Sequence, residues 1–225
     1  GFSGRVLRSY NFIFGSLKRF CVKILTQEQF LNAKNYIEHF ARPIDQALFK
    51  YYFENGHSED VMRALSFFQN SDGGFGHALE PDFRLPDSSP IATTVAFQYM
   101  NAVQVSADHP LVASGLRYFQ ANYLDSLMGW RQTIPEVNQY PRAIWWTYDE
   151  AKSTEYLQNH WANPSAEILA YYYQYPTLTN AKKREKLAEK ALIMLKKQER
   201  KLESHDFICF LRLADQLDKN LQEVF

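Results

Sequence analysis

One stretch, residues 64–97, restricts the fold more than any other. It reads as the end of one helix, a glycine corner, a charged loop and the start of a second helix. The first helix is predicted from Ser58 to Gln69. Ser58 is its expected N-cap, and Glu59 and Asp60 place negative charge where the macrodipole favours it. Val61, Leu65 and Phe68 form an apolar stripe at helical spacing, with Met62 and Ala64 beside it. Asp72-Gly73-Gly74 stops that helix, because glycine tolerates the positive φ of a sharp reversal. Asp72 is read as the turn-forming residue, Phe75 as an apolar anchor, and Gln69 as a side chain able to bond loose backbone groups across the corner. Ser89-Pro90 then opens the second helix, to about Val103, with serine at the N-cap and proline at the first helical position.

The rest of the chain repeats this unit more weakly. Gly115 to Gln120 mirrors Ala64 to Gln69, and Gly129-Trp130 follows where Gly74-Phe75 stood. Pro43, Pro90 and Pro164 mark three equivalent helix starts, with Asn163 expected to cap the third as Ser89 caps the second. Gln46, Thr93 and Glu167 lie three residues beyond those prolines and are expected near one shared rim. Further helices are predicted over 26–40, 43–53, from about 107 to 123, 179–202 and 206–217. An internal repeat of this kind is the signature of stacked helical hairpins, so the fold class is all-α.

The corner Gln69-x-x-Asp72-Gly73-Gly74-Phe75-Gly76, followed by a loop and a proline-led helix, resembles the repeat of squalene–hopene cyclases, oxidosqualene cyclases and protein prenyltransferase β subunits. The likeness covers about thirty residues, and Phe75 stands where those cyclases usually carry Trp. It implies an α/α toroid, in which each corner hands an outer helix to an inner one. With 225 residues the chain is short for six hairpins, so a partial or open (α/α)6 barrel over residues 26–225 is expected. The family's aspartate-rich and zinc-binding patterns have no counterpart here, so only Gln69, Gly73, Gly74 and Phe75 carry over, as structure.

Composition removes several classes. Formal net charge is zero, which gives no electrostatic case for nucleic acid; the lysine-rich face of the 179–202 helix reads as solvated. Cys21 and Cys209 lie far apart in apolar surroundings and read as buried thiols, without a disulfide or metal site. Neither a cofactor motif nor a long uncharged apolar run occurs, so a cytoplasmic protein without a membrane span is expected. Residues 1–25 are basic and apolar, with no acid before Glu28. They read either as an interfacial helix giving peripheral membrane contact, or as a packed first helix or tail. They do not read as a signal peptide, because Lys18, Arg19 and Lys23 interrupt the apolar run.

Aromatic content of 16% calls for a thick core or a lined cavity. Two long charged loops are expected to hold the chemistry: His77 to Ser89, and Trp130 to His160. Glu80, Asp82 and Glu167 are the candidate catalytic acids. His77, Arg84, Thr93, Arg142, Trp145 and Trp146 are the candidate substrate-binding residues. Helix N-termini with Arg84, His77 and Arg142 at one rim would suit an anion, and the aromatics an apolar ligand. Duller roles stand beside these: Glu80 and Asp82 can cap helices or pair with Arg84, one of Trp145 and Trp146 belongs in a core, and Cys209 reads as core. Three functions follow: an isoprenoid-binding or isoprenoid-transforming toroid with Glu80 or Asp82 as proton donor, a carbohydrate-active α/α-barrel hydrolase or lyase using Asp82 and Glu167, and a non-catalytic helical scaffold.

Overall fold

The computed structural model describes residues 24–197 and 202–217. The expectations for residues 1–23, including Cys21, and for the final turn of the 179–202 helix lie outside them. The chain divides into two units, up to Ala41 and from Arg42 onward. In the first, α1 (Gln27–Phe40) is closed at its start by a capping box: the Thr26 hydroxyl accepts from the Gln29 N–H, and the Gln29 side chain accepts from the Thr26 N–H.

Among the described residues of the second unit there are helices and isolated bridges, but no extended strands. The helices are α2 (Pro43–Phe53), α3 (Ser58–Ser66), α4 (Pro90–Ala102), α5 (Pro110–Ala121), α6 (Glu150–Asn159), α7 (Ala162–Gln174), α8 (Ala181–Lys197) and α9 (Ser204–Gln216). The all-α reading therefore holds. Helix α7 is buried along almost its whole length and packs against α4, α8 and α9; α4 also packs against α3 and α5.

The glycine corner is built as its residues dictate. Gly73 has φ of +88°, and the Asp72 carboxylate accepts from the Gly74 N–H at 2.9 Å and the Ser88 hydroxyl at 2.7 Å. The Phe75 N–H reaches the Thr93 hydroxyl of α4 at 3.0 Å, and the Phe75 ring is fully buried. Burial of such a ring contributes about 2–3 kcal/mol. The Gln69 amide donates to the Gly73 carbonyl at 3.0 Å and to the Ser114 hydroxyl of α5 at 2.8 Å.

The second corner repeats the device with different atoms. The Trp130 N–H donates to the Ser165 hydroxyl of α7 at 3.1 Å, and Gln120 reaches the Leu178 carbonyl at 3.1 Å. Between the corners lies an aromatic core: Phe97 stacks on Tyr171 at 4.7 Å, and Trp130 packs edge-on against Phe119 and Tyr172. Gly115 makes room for it, since a Cβ there would lie 2.6 Å from the Phe97 ring.

Four sequence expectations need correction. The N-cap of α3 is His57, without a side-chain cap, and Ser58 is already helical; the helix stops at Ser66, because Gln69 turns out of it to pair with Phe75. Helix α7 begins at Ala162, two residues before Pro164, and kinks at Asn163, whose backbone is extended and whose N–H donates to Asp206. The segment from Trp130 to His160 is not all loop, since it holds two short 3-10 helices and α6, which the Asp149 side chain caps through the Lys152 N–H. Finally, Gln46, Thr93 and Glu167 do not share a rim. Thr93 faces the glycine corner and Glu167 faces a cavity, whereas Gln46 borders a separate depression between α2 and α3.

Gly73→Ala is expected to destabilise the protein by about 2–3 kcal/mol, because it adds left-handed strain to a Cβ placed 2.5 Å from the Ser114 carbonyl oxygen. Chemical denaturation of the two proteins measures it.

Candidate functional site

A cavity of about 690 Å³ opens beside the α4–α7–α9 packing. Helix α4 supplies Ile91, Thr94, Val95 and Gln98, one turn-face apart as helical spacing requires. Helix α7 supplies Glu167, and α9 supplies Ile208, Cys209 and Arg212. The loops complete the wall with Glu80 and Asp82 on one side and Trp145 and Trp146 on another.

The two long loops reach the same place because they are joined. Phe83 and Arg142 form an antiparallel bridge, the Arg84 N–H donates to the Pro141 carbonyl at 2.9 Å, and the Ala143 N–H donates to the Asp82 carbonyl at 2.8 Å. Beneath the junction Phe83, Leu85, Ile91, Ala92 and Val137 make a small second core. Trp146 belongs to it, edge-on to Phe83 at 5.4 Å, whereas Trp145 is 69% exposed. The pair thus divides into one packed and one solvent-facing ring, as two adjacent tryptophans must.

Glu167 is the centre of the wall. It is 2% exposed, and four side chains from three helices donate to it. Gln98 Nε2 lies 2.9 Å and the Tyr171 hydroxyl 2.5 Å from Oε1; Arg212 Nη1 lies 2.7 Å and Cys209 Sγ 3.5 Å from Oε2. A carboxylate can be buried at this depth only with such partners. Burial, with the Glu167 charge adding to it, pushes the Cys209 thiol up and keeps it protonated. The same two influences push up the Tyr171 phenol.

A second buried carboxylate lies at the start of α9. Asp206 has no exposed surface; its Oδ2 is 2.9 Å from His160 Nδ1, and its Oδ1 accepts from the Asn163 N–H at 3.1 Å. Burial raises its carboxyl above the ordinary value, opposed by the His160 contact. His160, the C-cap of α6, lines the cavity, and Tyr156 stacks on its ring at 4.7 Å. Burial pushes the Tyr156 phenol up to about 12.

Glu80 is half-buried. Burial raises its carboxyl above the ordinary range, against the hydrogen bond it accepts from the Asp82 N–H. Its loop is held by Arg42, whose guanidinium donates to the Leu79 and Ala78 carbonyls at 2.9 and 3.2 Å while pairing with Asp45 at 2.7 Å. Tyr99 donates to the same Asp45 at 2.5 Å. The hydrogen bond from Arg42 is part of what holds the Asp45 carboxyl below its usual value despite burial.

Of the residues singled out in the sequence, Glu80, Asp82, Glu167, Trp145 and Trp146 come together around the cavity. The others stand in structural contacts. His77 pairs with Asn70 at 2.8 Å, Arg84 donates to the Pro81 carbonyl at 2.6 Å, Arg142 binds the Asn138 carbonyl at 2.9 Å, and Thr93 belongs to the corner. The neighbouring Thr94 takes the cavity position instead. The sequence reading missed Arg212, Gln98 and the His160–Asp206 pair. Only the position of Asp206, one turn before Cys209 on an otherwise apolar helix face, hinted at a buried acid. Among the described residues no cluster of His, Cys, Asp and Glu could hold a metal ion, and no helix is long and apolar enough to cross a membrane.

Arg212→Ala is expected to cost about 2 kcal/mol, because it leaves the buried Glu167 charge short of its cationic partner. In a Glu167→Gln background the same change should cost far less, and a double-mutant denaturation cycle reads the difference. A second expectation concerns acid. Glu203 caps α9: burial pushes its carboxyl up, but hydrogen bonds from the His205 ring, the Ser204 hydroxyl and the His205 N–H outweigh this and hold it at about 2, below the ordinary 4.5. Its contribution is therefore complete above pH 4.5 and is lost as the pH falls toward 2. Glu203→Gln should flatten that part of the stability–pH curve. Compared with family models, curated proteins and solved structures, the chain matches none.

Proposed function

We propose that the helices from α3 to α9 form an arc of an α/α toroid, and that its concave face binds a saccharide and acts on it as a hydrolase or lyase. The toroid reading is supported by the order of packing. Helices α4, α7 and α9 lie side by side, and α3, α5 and α8 stand as the outer members against α4 and α7. Helix α6 is then an insertion in the second connection.

The observation that carries the saccharide reading is the cavity wall itself. It combines the carboxyl groups of Glu80, Asp82 and Glu203 with the amides of Gln98, Gln132 and Asn163, beside the exposed ring of Trp145. Carboxylates and amides match hydroxyl groups, and a solvent-facing indole offers a flat surface to a sugar ring. Glu80 suits the role of proton donor, because burial raises its carboxyl above the ordinary range, the direction such a role needs. Asp82 lies beside it, its N–H donating to the Glu80 carboxyl. Glu167 is already bound by four donors, so its part is to fix the wall.

The isoprenoid reading draws on the cyclase-like corner and on the same Glu80. It requires an enclosed chamber; this wall carries Ile91, Val95 and Ile208, but it also carries Glu203 and Arg212 and lies open beside the exposed Trp145 ring. Calorimetric titration with neutral oligosaccharides, and separately with farnesol, tests the choice. Saccharide binding is expected, weakened about three- to tenfold by Trp145→Ala; Glu80→Gln should lower turnover of a cleaved glycoside by at least about 100-fold. Binding of farnesol alone would restore the isoprenoid reading, and binding of neither would leave a scaffold.

A further inference from the structure

We propose that His160 Nε2 is the proton acceptor of the cavity, held in its accepting tautomer by Asp206, and that it deprotonates the water that attacks the glycosidic carbon. This rests on the saccharide reading and assigns it to hydrolysis.

The Asp206 carboxylate is buried, and an ionised carboxylate only accepts hydrogen bonds. Oδ1 is taken by the Asn163 N–H, and Oδ2 faces His160 Nδ1 at 2.9 Å. With Asp206 ionised, the hydrogen lies on Nδ1, and the lone pair of an uncharged ring falls on Nε2. The ring cannot turn away, because Tyr156 stacks on it and α9 holds its partner. The His160 side chain is 35% exposed and borders the cavity. A base oriented by a buried acid, on a ring that lines a ligand-sized cavity, is the arrangement that general-base catalysis requires.

The step balances as follows. A water O–H proton passes to His160 Nε2 as the water oxygen bonds to the anomeric carbon. The bond from that carbon to the glycosidic oxygen breaks, its electron pair stays on the leaving oxygen, and that oxygen takes the proton of the Glu80 carboxyl. Both groups then exchange protons with solvent, so the net change is one glycoside and one water giving two hydroxyl-bearing products. Asp206 from α9 and Tyr156 from α6 contact the His160 ring, and the other charged and titratable groups lining the same cavity are Glu80 and Asp82 from the loop, Glu167 from α7, and Glu203, His205, Cys209 and Arg212 from α9 and its cap.

Two measurements on the full chain separate this proposal from the reading beneath it. Nitrogen-15 imidazole spectra should show His160 with hydrogen on Nδ1, reverting toward Nε2–H in Asp206→Asn. A panel of p-nitrophenyl glycosides should include one that is cleaved, with kcat falling at least about 100-fold in His160→Gln while KM changes little. Hydrogen on Nε2 in the wild type overturns the proposal. So does a glycoside that is bound but not cleaved, or cleavage untouched by His160→Gln, which would make the pair a structural staple. If no glycoside is bound at all, the saccharide reading fails, and the attack step fails with it.

Discussion

The packing of the cavity wall depends on one buried negative charge. Glu167 is placed inside by the apolar helix that carries it, and removing a carboxylate from water costs several kcal/mol unless donors replace the water. Those donors come from α4, from α7 itself and from α9, so satisfying one side chain fixes three helices against one another. A hydrophobic interface would tolerate small slippages between these helices. A carboxylate with a short list of donors does not, because each lost bond leaves a polar atom stranded. The cavity wall is thereby held at defined spacings although it is lined by polar groups.

The loops obey a related constraint. Long connections over a helical layer would ordinarily be loosely held. Here the 77–89 and 130–148 segments bond to each other through backbone groups and share a small apolar core, so their charged and aromatic tips are carried by a supported platform. Arg42 extends that support from the other side, tying the start of α2 to the carbonyls just before Glu80.

Much of the fold was legible because its signals are local. Helical spacing around Val61 and Leu65, Ser89-Pro90 at a helix start, and Asp72-Gly73-Gly74 at a reversal each act within a few residues. The boundaries that went astray were decided by partners far along the chain. Gln69 leaves its helix for a bond to Ser114, and Asn163 gives its N–H to Asp206, 43 residues away. The candidate site divided in the same manner. Glu80, Asp82, Glu167 and the tryptophan pair stood out by residue type, whereas Arg212 and His160 gained their places only through side chains 45 and 46 residues distant. The offset rule from the prolines failed because equal counts along α2, α4 and α7 meet different neighbours: the depression between α2 and α3 for Gln46, the glycine corner for Thr93 and the cavity for Glu167.

The glutamines at the two corners have a wider consequence. Gln69 fastens its own turn to α5, and Gln120 fastens its helix to the 176–178 segment ahead of α8. These two side chains each tie one segment to a later one, beside the Glu167 contacts that join α4, α7 and α9. Loss of order in one segment then weakens the hold on the next, and α4 and α7, which each pack against several other helices, would be the last to let go.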